Sequence, residues 1–99
     1  MAKAKKVRSV QIGASIVPIK FVKLADSAGA FDEPTMEILI NTDAPPSLVN
    51  TTIFHEILHA ISYAYGMSLS EHDVLILENT LLPLLQDNPW LLDDKVEAD

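Results

Sequence analysis

The stretch Phe54–Ala60, FHEILHA, holds two of the chain's three histidines four residues apart, with a glutamate directly after the first. In an α-helix each residue turns about 100°, so His55 and His59 fall within roughly 40° of one another and one turn apart. Two neutral imidazoles can then reach one ion from one face, at the roughly 2.0–2.1 Å of a zinc–nitrogen bond. Glu56 is swung aside from that line, poorly placed as a ligand and well placed beside a water on the ion. Such an ion brings the pKa of its water toward neutrality, and a carboxylate that takes the proton leaves a nucleophile for a peptide carbonyl. Phe54, Ile57, Leu58, Ile61 and Ala64 make the surroundings apolar. Two imidazoles and a carboxylate are costly to bury there without a partner. A metal site is expected, rather than an accidental pair of histidines.

A catalytic zinc commonly takes three protein ligands and keeps one position open. The extended pattern HExxHxxGxxH is not met, since Ser62 stands where its glycine would be and Tyr65 where its third histidine would be. The chain has no cysteine, so any further ligand is histidine nitrogen or carboxylate oxygen. Downstream lie Glu71, His72, Asp73 and Glu78. On a helical wheel Val74, Leu75, Leu81, Leu82 and Leu85 form an apolar stripe with Glu78 near its middle, while His72 and Asp73 point away. Glu71 shares the stripe's face but sits in the first turn, where the helix dipole favours an acid in any case. Lys95 is the only base after Lys23, which leaves Glu78 without an obvious ion pair. Glu78 is the expected third ligand and Glu71 the alternative. Tyr63, four residues past His59, and His72 are auxiliary candidates for holding an oxyanion, although packing is the plainer role for Tyr63.

These residues need helices to carry them. Pro45, Pro46 and Ser47 form a start signal with Ser47 as N-cap, and Gly66 closes the run as a C′ residue, which predicts a helix over Leu48–Tyr65. Ser70 with Asp73 is a variant capping box opening a second helix over Glu71–Gln86, ended where Pro89 restricts Asn88. Upstream, VQIGASIVPIKFVKL reads as one interrupted strand or two short ones, and MEILINT, Met36–Thr42, as another. ADSAGAFDEPT between them is dense in turn formers. The expectation is an α+β fold: a small sheet of two to three or more short strands, then the histidine helix and a second helix.

Ninety-nine residues suffice for one domain, expected over residues 9–92. A basic, disordered arm is expected over residues 1–8 and an acidic tail over residues 93–99, with Trp90–Leu92 as a last apolar anchor. The net charge is −7, and all fourteen acids follow Leu24. That balance argues against a nucleic-acid-binding body. Gln11, Pro18 and Lys20 interrupt the early apolar run and no stretch approaches the roughly 18 apolar residues of a membrane span, so a cytoplasmic protein is expected.

The segments HEILHAISYAYG and LSEHDVLILENTLLPLLQDNPWL, with AGAFDEPTMEILINTD ahead of them, resemble the small zincin-like metallopeptidases of bacteriophages and prophages, and more broadly the minimal gluzincins. The likeness covers roughly Gly29–Leu92. It implies a minimal zincin-like fold, Zn²⁺ held by His55, His59 and Glu78, Glu56 as base, and a phage or prophage protein in a bacterial host. The expected function is zinc-dependent peptide hydrolysis, on a peptide or protein substrate extended along an exposed edge strand at Met36–Ile40. The alternative is a non-catalytic metal-binding or protein-interaction module that keeps the fold. A purely structural zinc site would need a fourth ligand, for which His72 is the obvious donor.

Overall fold

The computed structural model describes residues 8–93 and residue 97. The basic arm expected at the N-terminus therefore lies outside the described residues except for Arg8, and the acidic tail except for Asp93 and Glu97. Four strands and two α-helices follow one another along the described chain: β1 Ser9–Ile12, β2 Ser15–Val22, β3 Gly29–Asp32, β4 Glu37–Asn41, α1 Pro46–Ala64 and α2 Glu71–Asp87. The class is α+β.

The interrupted early strand is a hairpin. Ile12 pairs with Ser15 across the two-residue turn Gly13–Ala14. Gly13 has φ +59° and Ala14 is not among the residues with positive φ, the pattern of a type II′ turn, whose first position glycine fills at little steric cost. β2 then runs parallel to β4, with Ile19 opposite Ile38 and Phe21 opposite Ile40. β4 also pairs antiparallel with β3, giving the order β1-β2-β4-β3.

Two expectations change here. GAFD, read within a turn-rich stretch, is the strand β3. Met36–Ile40, expected to be an exposed edge, corresponds to an interior strand paired on both sides, and β3 takes the edge instead. The β3–β4 turn is locked by Thr35 Oγ1 donating to Asp32 Oδ2 at 2.6 Å and Met36 N donating to Glu33 O at 3.2 Å. Met36 sits there at φ 53°, a left-handed conformation that costs a side-chain-bearing residue roughly 1–2 kcal/mol. Its packing against the core offsets that cost.

The core is Ile12, Val17, Ile19, Ile38, Ile40 and Ala60, with Val49, Ile53, Ile57 and Ile61 of α1 packed on it. Those α1 positions recur every four residues and define the face laid on the sheet. Ile38 and Ile40 are wholly buried, so either truncated to alanine costs about 2–5 kcal/mol. Against a typical total of roughly 5–15 kcal/mol, that is a large share.

Helix α1 begins with Pro45 as N-cap and Pro46 in its first turn, not with a Ser47 cap, and no side chain caps it. Proline at the first position loses nothing, because its missing N–H would be unpaired there anyway. The C-terminal end is as expected: Gly66 has φ +66°, Gly66 N donates to Tyr63 O, and Met67 N donates to Ser62 O. This 5→2 and 6→1 pair is a Schellman motif. After α2 a 3₁₀ turn spans Pro89–Leu92, but Trp90, Leu91 and Leu92 are all exposed. They do not form the buried anchor expected of them. Among the described residues no helix is long and apolar enough to cross a membrane.

Candidate metal centre

Helix α1 has three sides. Its isoleucines face the sheet, the line of Leu58 and Ser62 lies roughly opposite, and His55, Glu56 and His59 fall between them. The imidazoles of His55 and His59 stand edge to face, with centroids 5.0 Å apart and planes at 61°. Their Nε2 atoms converge on one carboxylate, that of Glu71: His55 Nε2 is 2.6 Å from Oε1 and His59 Nε2 is 2.9 Å from Oε2. These three residues can each offer one donor atom with all donors within 4.8 Å of one another.

Glu71 is aimed by the link between the helices. Ser62 holds both ends of that link, its backbone oxygen accepting from Met67 N at 2.8 Å and its hydroxyl oxygen accepting from Leu69 N at 3.1 Å. Ser70 Oγ then accepts from Asp73 N, and Asp73 Oδ2 accepts from Ser70 N, both at 3.0 Å. This is the reciprocal capping box expected of these two residues. It pairs two backbone donors at the helix start and leaves Glu71, the next residue, on the first turn facing the histidines. The Ser70 backbone bond, and next its hydroxyl, hold the Asp73 carboxyl below the usual carboxylate range.

Glu78 lies two turns further along α2. Its Oε1 is 3.5 Å from His55 Nδ1, and the residue is buried. The carboxylate expected as third ligand thus reaches the back of the His55 ring, while Glu71 holds the front. A carboxylate behind a ligating imidazole selects its tautomer and fixes its orientation.

Glu56 is one of the three buried polar residues among those described, with Ser62 and Glu78. Burial pushes its carboxyl above the ordinary carboxylate range, positive charge on His55 and His59 pulls it back, and Glu71 and Glu78 add to the rise. A raised carboxyl suits a general base working near neutral pH. The edge strand presses close to it. A Cβ on Gly29 would stand 2.6 Å from Thr52 Cγ2 and 3.4 Å from Glu56 Cγ, so glycine is what lets β3 approach α1 here.

Two open cavities meet at Glu56 and His59. One, of about 470 Å³, extends past Ser27, Gly29, Glu71 and Glu78; the other, of about 400 Å³, extends past Phe31, Glu33, Tyr63 and Leu69. Both are bordered by β3 or its flanking residues, so together they form a groove along the edge strand with Glu56 at its middle. Tyr63 is half-exposed and packs against Phe31 in a tilted pair, centroids 5.8 Å apart and planes at 60°, serving as groove wall. His72 is exposed and stands outside the His55–His59–Glu71 group.

The donor set fits zinc in chemistry and in number. Nitrogen–oxygen separations of 2.6 and 2.9 Å are shorter than the roughly 3.3 Å between donors on a tetrahedral zinc. Glu71 bridges the two rings directly, and its exposed side chain would have to draw back from them to admit an ion. Ser62 is the positioning residue that motif reasoning passed over; its signal was the polar residue seven positions past His55 on a helix otherwise apolar there. No family model matches this chain, and neither a curated protein nor a solved structure matches it.

Proposed function

We propose that this protein is a zinc-dependent peptidase in which His55, His59 and Glu71 hold the ion and Glu56 is the general base. The observation that carries the proposal is the convergence of both histidine Nε2 atoms on one carboxylate, beside a buried glutamate with a raised pKa, at the middle of a groove. The ligand role expected of Glu78 passes to Glu71, and Glu78 orients His55 from behind. Zinc-dependent peptide hydrolysis with Glu56 as base also follows from the resemblance to small zincin-like metallopeptidases, although that resemblance implies Glu78 as the third ligand; it further implies a phage or prophage protein in a bacterial host.

When bound, zinc would polarise the scissile carbonyl and acidify the attacking water. Glu56 accepts the proton that the water loses and returns it to the leaving nitrogen, so water is added across the C–N bond and a carboxylate and an amine result. Gly29–Asp32 holds the substrate backbone as an added strand, because β3 has a free edge beside Glu56. A non-catalytic module could use the same ion but gains nothing from burying Glu56.

Hydrolysis of a mixed peptide pool by zinc-loaded protein, read by mass spectrometry against Glu56→Gln, tests the proposal. Cleavage that needs both zinc and Glu56 is expected. Equal cleavage by the variant would sink it.

A further inference from the structure

The groove is chemically lopsided on the side of Phe31. Its wall there is the Phe31–Tyr63 pair with Met67 and Leu69, and Glu33, in the β3–β4 turn, stands at its rim. No lysine or arginine lines either half of the groove. Among the described residues the cations are Arg8, Lys20 and Lys23, and Lys20 is paired with Glu37. The open pocket, about 400 Å³ in volume, therefore sets Phe31, Tyr63, Met67 and Leu69 among polar neighbours and beside the exposed Glu33 carboxylate, which has no ion pair among the described residues.

We propose that this pocket takes the substrate side chain adjoining the scissile bond and that Glu33 makes it select a basic residue, arginine ahead of lysine. The inference rests on the peptidase reading for the identity of the ligand. Long basic side chains lay their methylenes along apolar surface and keep the charge at a polar rim, which is the arrangement of Phe31, Leu69 and Glu33. Arginine gains over lysine because its flat guanidinium stacks on aromatic faces and meets a carboxylate through two parallel donors. Acidic residues at the same substrate position are repelled by Glu33, and no lysine or arginine lines the pocket to pair with them.

The test uses blocked alanine-based octapeptides that differ at one position, carrying arginine, lysine, citrulline, norleucine or glutamate. Citrulline keeps the shape of arginine without its charge, and norleucine approximates the stem of lysine. Cleavage by the zinc-loaded protein and binding to zinc-loaded Glu56→Gln, followed through the resonances of Tyr63 and Met67, are read side by side. Arginine should exceed citrulline, and lysine should exceed norleucine, by about two- to fivefold, the span expected of an exposed ion pair. Glu33→Gln should erase both ratios and Glu33→Arg should turn the preference toward glutamate. Raising the salt should shrink the ratios in the parent.

The two readings fail separately. Cleavage by the parent with ratios that ignore Glu33 overturns the pocket assignment and leaves the peptidase reading intact. Binding with the arginine preference, erased by Glu33→Gln but without zinc-dependent cleavage, upholds the pocket and overturns the peptidase. Ratios of one in both assays overturn the pocket whatever the cleavage rate.

Discussion

Glu71 and Glu78 address opposite edges of the same imidazole, Glu71 Oε1 standing 2.6 Å from His55 Nε2 and Glu78 Oε1 3.5 Å from Nδ1. Seven residues separate them on α2, which returns them to the same face within about 20° and sets them roughly 10 Å apart along the axis. The ring of His55 fits between the two carboxylates. Its two nitrogens therefore have different neighbours, Nε2 the Glu71 carboxylate and Nδ1 that of Glu78.

Glu71→Ala should remove most zinc affinity, because it deletes a donor, whereas Glu78→Ala should weaken zinc by about 10–100-fold through the loosened ring. Competition titration with a chromophoric chelator measures both. Glu78→Leu adds a second reading, since a buried carboxylate replaced by hydrocarbon should raise the melting midpoint of the zinc-free protein. The zinc-induced rise should persist in that variant and vanish in Glu71→Ala. The reverse order would return the third ligand to Glu78.

Glu56→Gln should bind zinc as the parent does and lose at least about 10²-fold in hydrolysis, since an amide accepts no proton. Zinc titration and peptide cleavage on the same preparation make the comparison. Loss of zinc along with activity would mean that Glu56 is a ligand instead.

Ser62→Ala breaks the hydroxyl contact to Leu69 N and should cost about 1 kcal/mol of stability. Because that contact steers Glu71, zinc affinity should fall as well. In a Glu71→Ala background the Ser62 change should no longer alter affinity for zinc, while its cost in denaturant melts should remain. An undiminished effect on affinity in that background would separate Ser62 from Glu71.

Gly29→Ala should destabilise by about 1–3 kcal/mol, because the added methyl would stand 2.6 Å from Thr52 Cγ2 and 3.1 Å from Leu39 O. Thr52→Ala should recover part of that loss and leave the part due to the Leu39 carbonyl. A double variant no more stable than Gly29→Ala alone would show that Thr52 is not the obstacle.

The depressed Asp73 carboxyl makes an acid-limb prediction. Its folded pKa lies below the unfolded value, near about 3.9, so the stability it contributes is present above that value and is lost as pH falls through the folded one. Asp73→Asn should be less stable than the parent at pH 6, with the gap closing as pH falls below about 4. Urea midpoints at a series of pH values measure the gap, and a constant difference would assign the effect to shape rather than charge. Glu37, lowered chiefly by its bond to Lys20, adds to the parent's acid loss in the same direction in both proteins and cancels in the comparison.

Local chemistry determined much of this protein. The 100° helical period alone put His55 and His59 on one line with Glu56 beside it, Ser70 with Asp73 announced the start of α2, and Gly66 announced the end of α1, because each feature is decided within a turn or two of chain. What depends on distant segments was not legible in the same way. GAFD is too short and too full of turn formers to declare itself a strand, and it becomes one only because β4 offers it a partner; β4 is interior only because β2 pairs with its other side. Trp90–Leu92 looked like an anchor from hydropathy, yet the fold leaves these residues exposed. The choice between Glu71 and Glu78 was of this second kind. Both lie on one face of α2, so helical periodicity treats them alike. Which carboxylate meets the Nε2 atoms depends on how far α2 slides along α1, and the tertiary structure decides that through the Schellman turn at Gly66, which includes the Met67–Ser62 bond, and through the bond from Leu69 N to the Ser62 hydroxyl.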